Sequence, residues 1–180
     1  MTATPKIIIR DAEEFEQEAI AQVLLEAYQQ YASVLPEQRW AQYRDSIRNS
    51  VYGKAAHARI VAVLDGEIVG SVQMFLSSED AYGNPEMGIR SPIIRLLAVS
   101  SACRGKGIAS LLIQEAARRS VLLGYSTLNL HTSDMMATAV QLYERLGFQR
   151  AYETDIRNGD TLVKGYQLDL RSTSLLEDVV

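Results

Sequence analysis

The chain of 180 residues contains a single cysteine. Cys103 can therefore form neither an internal disulfide nor a multi-cysteine zinc site, and no metal is expected. Long hydrophobic runs are missing as well. Stretches such as Ile7–Ile9 and Ile93–Val99 fall far short of the ~20 apolar residues that a membrane-crossing helix needs. Met1 to Lys6 lacks the apolar core of a secretory signal, which makes a cytoplasmic protein the expectation. Nor is there an excess of basic charge. Lys and Arg number 18 against 22 Asp and Glu, for a net charge of −4 and a pI near 5.3. This argues against a nucleic-acid or anionic-membrane surface and confines any basic site to a local patch. Repeats and low-complexity linkers are absent. What remains, 47% hydrophobic and 22% charged residues, is the composition of a folded globular protein. The length suits one domain, 1–180, with its core over about 6–170 and a flexible tail at 171–180.

Lys6–Arg10 is short and β-branched, and Asp11-Ala-Glu-Glu14 supplies the residue types of a capping box before a helix. In that helix Ile20, Val23, Leu24, Ala27 and Tyr31 recur at helical spacing. Pro36 opens a second helix with Trp40, Tyr43, Ile47 and Val51 on one stripe, ending near Gly53. Ala58–Leu64 and Glu67–Leu76 flank Asp65-Gly66, a dipeptide suited to a two-residue hairpin turn. Residues 77–92 show no period and are expected to form a loop. Ile93–Val99 has apolar residues on both faces, the mark of a central strand covered by helices. A helix follows Gly107 with Ala109, Leu112, Ile113 and Ala116 inward and Gly124 at its close. Thr127–His131 is a strand, and Asp134 can cap a last helix bearing Ala139, Leu142, Tyr143 and Leu146, ended by Gly147. Phe148–Ile156 and Leu162–Leu170 are expected to pair around Asn158-Gly159, leaving a tail from Ser172 without a partner. The order implies one mixed α/β sheet with helices on both faces.

The segment Val99-Ser-Ser-Ala-Cys-Arg104-Gly105-Lys106-Gly107-Ile108-Ala109 runs from a strand through a basic, glycine-rich turn into a helix. Unpaired amides and the positive end of the helix dipole favour an anion there, and glycines let it approach the backbone. Neither G-x-G-x-x-G nor the P-loop spacing is met, since Ser110 stands where the third glycine would fall. A nucleotide hydride enzyme or an NTPase is thus poorly supported. Arg104-Gly-Lys-Gly-Ile-Ala109 instead resembles the R/Q-x-x-G-x-G/A signature of the GNAT superfamily of acetyl-CoA-dependent N-acetyltransferases. Ala139-Val-Gln-Leu-Tyr143-Glu-Arg-Leu-Gly-Phe148 is similar to that family's A-x-x-L-Y-x-x-L-G-F segment. Both motifs, in order and on the expected elements, carry the resemblance over roughly Lys6 to Leu170.

The resemblance implies a sheet of about seven strands, splayed between the fourth and fifth. It implies acetyl-CoA as co-substrate, its pyrophosphate on the amides of Gly105, Lys106, Gly107, Ile108 and Ala109 beside Arg104. The backbone of Leu97, Ala98 and Val99 would hold the pantetheine arm and the oxyanion, and Tyr143 would protonate the departing thiolate. Two positions depart from the family pattern. Ile93 stands where many members carry a glutamate base, and Met136 replaces a frequent asparagine. His131, Glu86 or bulk water could accept the amine's proton instead. Cys103 could suggest an acetyl-enzyme, but core packing is the stronger reading. Tyr28, Tyr31, Trp40, Glu79, Asp80 and Tyr82 could line an acceptor pocket or be core and surface residues. Three readings follow: an N-acetyltransferase acting on a small-molecule or protein amine, a CoA-binding regulatory or degenerate member, and an interaction module without ligand. The acidic balance is compatible with a cationic acceptor such as a polyamine, an aminoglycoside, a lysine side chain or a protein N-terminus. A homodimer is compatible with the resemblance.

Overall fold

β-Branched stretches and helical stripes alternate along the chain much as their spacing predicts. The structure, a computed structural model, describes residues 6–133, 136–159 and 161–176. In chain order the elements are β1 (Ile8–Asp11), α1 (Gln17–Tyr28), α2 (Glu37–Tyr52), β2 (Ala58–Leu64), β3 (Glu67–Phe75), α3 (Ser78–Tyr82), β4 (Ile93–Val99), α4 (Ile108–Leu122), β5 (Thr127–Thr132), α5 (Ala137–Arg145), β6 (Gln149–Arg150), β7 (Ile156–Asn158) and β8 (Thr161–Asp169). The strand order is β1-β2-β3-β4-β5-β8-β6, with β7 beside β8. β4 and β5 run parallel, their ladder consisting of Ile93 opposite Asn129, and β5, β6 and β7 each pair antiparallel with other strands only through β8. This is the expected mixed α/β sheet, with its parting between the fourth and fifth strands. No helix among the described residues is long and apolar enough to cross a membrane.

The chain divides into two compact units, each discontinuous: Met1–Gln73 with Leu96–Ile113, and Met74–Arg95 with Gln114–Val180. In the first, β1 pairs antiparallel with β2, Ile9 opposite Ala62. The hairpin turns on Asp65 (φ 52°) and Gly66 (φ 80°), the left-handed pair its sequence predicts. The capping box forms at Glu13 and Glu16, not at Asp11 and Glu14. Asp11 is still paired in β1 opposite Ile60. Glu16 accepts from the Glu13 amide at 2.8 Å and closes bidentately on Arg10, which holds its carboxyl down at about 2. Ile20, Ala21, Leu24, Ala27 and Tyr28 are buried in α1. Tyr28 replaces Tyr31 on the stripe because a 3-10 turn over Gln29–Tyr31 changes the period after Tyr28. Gly70 lets β3 approach its neighbours: a Cβ there would lie 3.0 Å from Ile108 Cγ2 and 3.2 Å from both Ala98 O and Leu112 Cδ1. Ile108, Leu112 and Ile113 are buried, whereas Ala109, expected on their stripe, is half-buried.

In the second unit, residues 77–92 are not a plain loop. Ser77 Oγ accepts from the Asp80 amide and starts α3, and Gly83 (φ 67°) ends it. A helix of five residues is too short for periodicity to reveal. The expected strand Phe148–Ile156 is interrupted by a 3-10 turn over Tyr152–Thr154. Beyond Ser172 the chain does find a partner, since Gln114 Nε2 donates to Leu175 O at 2.9 Å. The expected cap Asp134 lies outside the described residues.

Candidate functional site

The strand before the basic turn is kinked. Leu96 adopts φ 54°, a left-handed conformation that costs a non-glycine residue on the order of 1–3 kcal/mol and is often found at functional sites. The kink re-aims the amides that follow it. Ala98 is buried, and Leu97 and Val99 are half-buried. The Leu97 carbonyl accepts from Tyr28 Oη at 3.1 Å, and Ser100 N donates to Val69 O at 2.7 Å.

After β4, Ser101 Oγ donates to Glu26 of α1 and anchors the turn. Arg104 is extended, and Gly105 and Gly107 take φ of 81° and 76°. A Cβ at either glycine would meet nothing within 4 Å, so backbone conformation, not crowding, requires glycine here. The first α4 bond runs from Leu111 N to Gly107 O. The amides of Ile108, Ala109 and Ser110 thus precede any helical acceptor and are available to an anion. Arg104 and Lys106 are exposed, and neither has an ion-pair partner among the described residues. Burial raises the Tyr31 phenol and Arg104 opposes the rise. Cys103 is a half-buried free thiol in the turn.

The second unit carries the titratable cluster. His131, near the carboxyl end of β5, places Nε2 2.7 Å from Thr154 O and Nδ1 2.8 Å from Tyr82 Oη. A carbonyl only accepts, so Nε2 carries the proton of the neutral ring, and Nδ1 accepts the Tyr82 hydroxyl. Burial lowers the His131 pKa from its ordinary 6.5. Thr154 and Asp155 act against that, and Arg95 adds to it. Burial pushes the Tyr82 phenol up to about 12.

Gly165 of β8, directly opposite His131, makes this geometry possible. Its missing side chain admits Thr154 Oγ1, with Ala151 O 3.0 Å from where a Cβ would lie. Asp155 accepts from Gly165 N at 2.8 Å and pairs bidentately with Arg150, which holds its carboxyl at about 2. Arg150 and the Ala151 amide both donate to Gly165 O.

Tyr143 is buried on α5 with its ring edge-on to Phe148, centroids 5.8 Å apart. Ile93 is fully buried, so a core side chain occupies the position of the missing glutamate. Glu86 is exposed in a 3-10 turn capped by Asn84. Glu79 and Asp80 are exposed on α3, while Tyr28 and Trp40 are buried, each with its ring near Tyr43. Met136 stands at the N-cap of α5. Sequence reasoning passed over Arg95, Gly165 and the Leu96 kink. Arg95 had a signal, a lone charge in an apolar strand; Leu96 had none.

The acetyltransferase (GNAT) domain family matches residues 55–150. N-acetylaspartate synthetase of Danio rerio is 36% identical over 95 residues, 53% of this chain and 30% of that protein. N-acetyltransferase family 8 member 2 of Rattus norvegicus is 32% identical over 90 residues, 50% of this chain and 38% of that protein. The matched segment thus spans about a third of the length of these relatives. Among solved structures, a PaiA N-acetyltransferase from Thermoplasma acidophilum in complex with coenzyme A shares the fold. Its TM-score is 0.68 at 15% identity, over 91% of this chain and 99% of that one.

Proposed function

The chain belongs to the GNAT acetyltransferase family, and on that footing we propose that it transfers the acetyl group of acetyl-CoA to a primary amine. The observation that carries the reading is the turn from Arg104 to Ala109. Its positive-φ glycines, helix-start amides and two cations without ion pairs among the described residues suit a pyrophosphate. Leu97, Ala98 and Val99 supply backbone for the pantetheine arm and an amide for the oxyanion. Bound there, acetyl-CoA supplies an activated thioester. Tyr143 delivers a proton to the leaving thiolate.

His131 serves as the base through Tyr82. The ammonium proton passes to Tyr82 Oη as the Tyr82 proton passes to His131 Nδ1, at 2.8 Å. The imidazolium then keeps its Nε2–H bond to Thr154 O and faces the Asp155 carboxylate. The free amine attacks the thioester, the departing thiolate takes the Tyr143 proton, and the proton that the nitrogen sheds as the amide forms returns to the Tyr143 oxygen. This favours His131 over Glu86, which stands exposed on its own turn.

Two measurements test these assignments. Gly107→Val should weaken acetyl-CoA binding at least about tenfold. The β-branched side chain disfavours φ near 76° and occupies the anion's space. Calorimetry on the folded variant checks this, and unchanged affinity would move the pyrophosphate elsewhere. For the base, the active form of His131 is neutral and burial lowers its pKa. The acid limb of kcat/KM should therefore lie below about 6.5, the activity being full above it and lost as pH falls through it. His131→Ala and Tyr82→Phe should each remove that limb and slow the reaction on the order of 10²-fold. Wild-type rates and profiles in both variants would assign the proton to water.

A further inference from the structure

Most other arginines drawn into the protein's packing meet a carboxylate. Arg10 closes on Glu16, Arg118 and Arg119 on Glu115, and Arg150 on Asp155. Among the described residues Arg59 has no carboxylate and its Nε is buried without a partner, but its Nη2 donates to Ser50 O and Gly53 O at the carboxyl end of α2, where the helix dipole favours a cation. Arg95 differs. It is half-buried, its guanidinium lies 4.8 Å from the Tyr82 ring centroid and 5.9 Å from that of Phe75, and Nη1 donates to Ala81 O at 2.6 Å. Among the described residues no carboxylate pairs with it, and Nε and Nη2 have no acceptor. The two aromatic rings and Ala81 O thus hold a planar guanidinium whose Nε and Nη2 have no acceptor among the described residues, and a carboxylate is the group that this fork matches.

Its neighbours decide what that carboxylate belongs to. The parallel register sets Ile93 beside Asn129, so Arg95 and His131 follow two residues later on the same face of their strands. The Tyr82 ring meets both, with its centroid 5.1 Å from the His131 ring. Asn129, on that face of β5, is buried with Oδ1 lacking a partner among the described residues. A cation without a counter-ion among the described residues therefore adjoins a tyrosine–histidine pair whose histidine it helps to keep neutral. A cationic acceptor such as a polyamine is repelled by such a centre. A zwitterion fits it, with carboxylate on Arg95 and amine toward Tyr82.

We propose that Arg95 binds the carboxylate of the acceptor, and that the acceptor is a free amino acid rather than a polyamine, an aminoglycoside or a protein lysine. This rests on the acetyltransferase reading and goes further by naming the class of amine. Arg95 acts here as a specificity-determining residue.

The test pairs each amino acid with the amine that decarboxylation would give, such as phenylalanine with phenethylamine and leucine with isoamylamine, alongside aspartate, spermidine and a lysine peptide. Thiol release with acetyl-CoA is followed for wild type, Arg95→Gln and Arg95→Lys. The expected result is a kcat/KM preference for amino acid over its decarboxylated partner on the order of 10²-fold or more. Arg95→Gln should collapse that preference, and Arg95→Lys should restore part of it. Equal use of the decarboxylated amines or spermidine, or a preference indifferent to Arg95→Gln, would overturn the proposal. Arg95 also holds Ala81 O, so melting temperatures of the variants are compared first. Calorimetric titration of the amino acids in the presence of CoA separates the two claims. Binding that is lost in a folded Arg95→Gln variant upholds the carboxylate site even if no acetyl transfer is seen, in which case the acetyltransferase reading alone fails. Binding unchanged by Arg95→Gln overturns the site whatever the turnover.

Discussion

Tyr143→Phe is expected to lower turnover about 10²- to 10⁴-fold, the range typical of general acid catalysis, while acetyl-CoA binds nearly as before. The asymmetry follows from the role. A hydroxyl that protonates a leaving thiolate interacts most strongly where negative charge develops on sulfur, so its loss raises the barrier without much altering the ground-state complex. A phenol, with a reference pKa of ~10, is matched to a thiolate whose conjugate acid lies at ~8.5. The fold should survive, because phenylalanine keeps the ring that packs edge-on against Phe148 at 5.8 Å and only one oxygen leaves. The rate should be taken under conditions where chemistry limits, with a slow acceptor or in a single turnover, so that product release does not mask the change. Turnover equal to wild type there would make Tyr143 a core residue.

The second large effect is on stability. Gly165→Ala is expected to destabilise the protein by about 2–4 kcal/mol, more than an ordinary small-to-large change, because rigid groups surround the site. The new methyl would overlap Thr154 Oγ1 and stand 3.0 Å from both Ala151 O and Thr154 Cβ. Relief requires the 3-10 turn to lift, which strains the bonds from Ala151 N and Arg150 to Gly165 O and from Gly165 N to Asp155. It also draws Thr154 O away from His131 Nε2. Denaturant unfolding measures the loss, and Thr154→Ala in the same chain should recover part of it by removing the overlapping oxygen. Additive destabilisation in the double variant would show that the overlap is not the cause. Where the Gly165→Ala protein remains folded, the acid limb assigned to His131 should shift, since one of its two ring partners has moved.

Local chemistry carried much of the protein. Asp65-Gly66 formed its left-handed turn, Ile93–Val99 its strand, and Arg104 to Ala109 the glycine turn at a helix start, because each depends on residues within a few positions of one another. Element ends were less legible. The capping pair moved to Glu13 and Glu16 because β1 runs on through Asp11 and Arg10 holds the Glu16 carboxylate where it also accepts from the Glu13 amide. α3 and the break after β6 are shorter than the periods that would reveal them.

By itself the sequence determined the order of the longer elements, the glycine turn at the start of α4 and the placing of Tyr143 on its helix, because backbone propensity and side-chain period act over short spans. Only the tertiary structure decided the tautomer of His131, the need for glycine at position 165, the left-handed turn at Leu96 and the lone charge of Arg95. Tyr82 and His131 are 49 residues apart, and His131 and Thr154 are 23 apart. Contacts across such distances leave no period in the chain, and whether a buried polar group is satisfied depends on what the fold sets beside it.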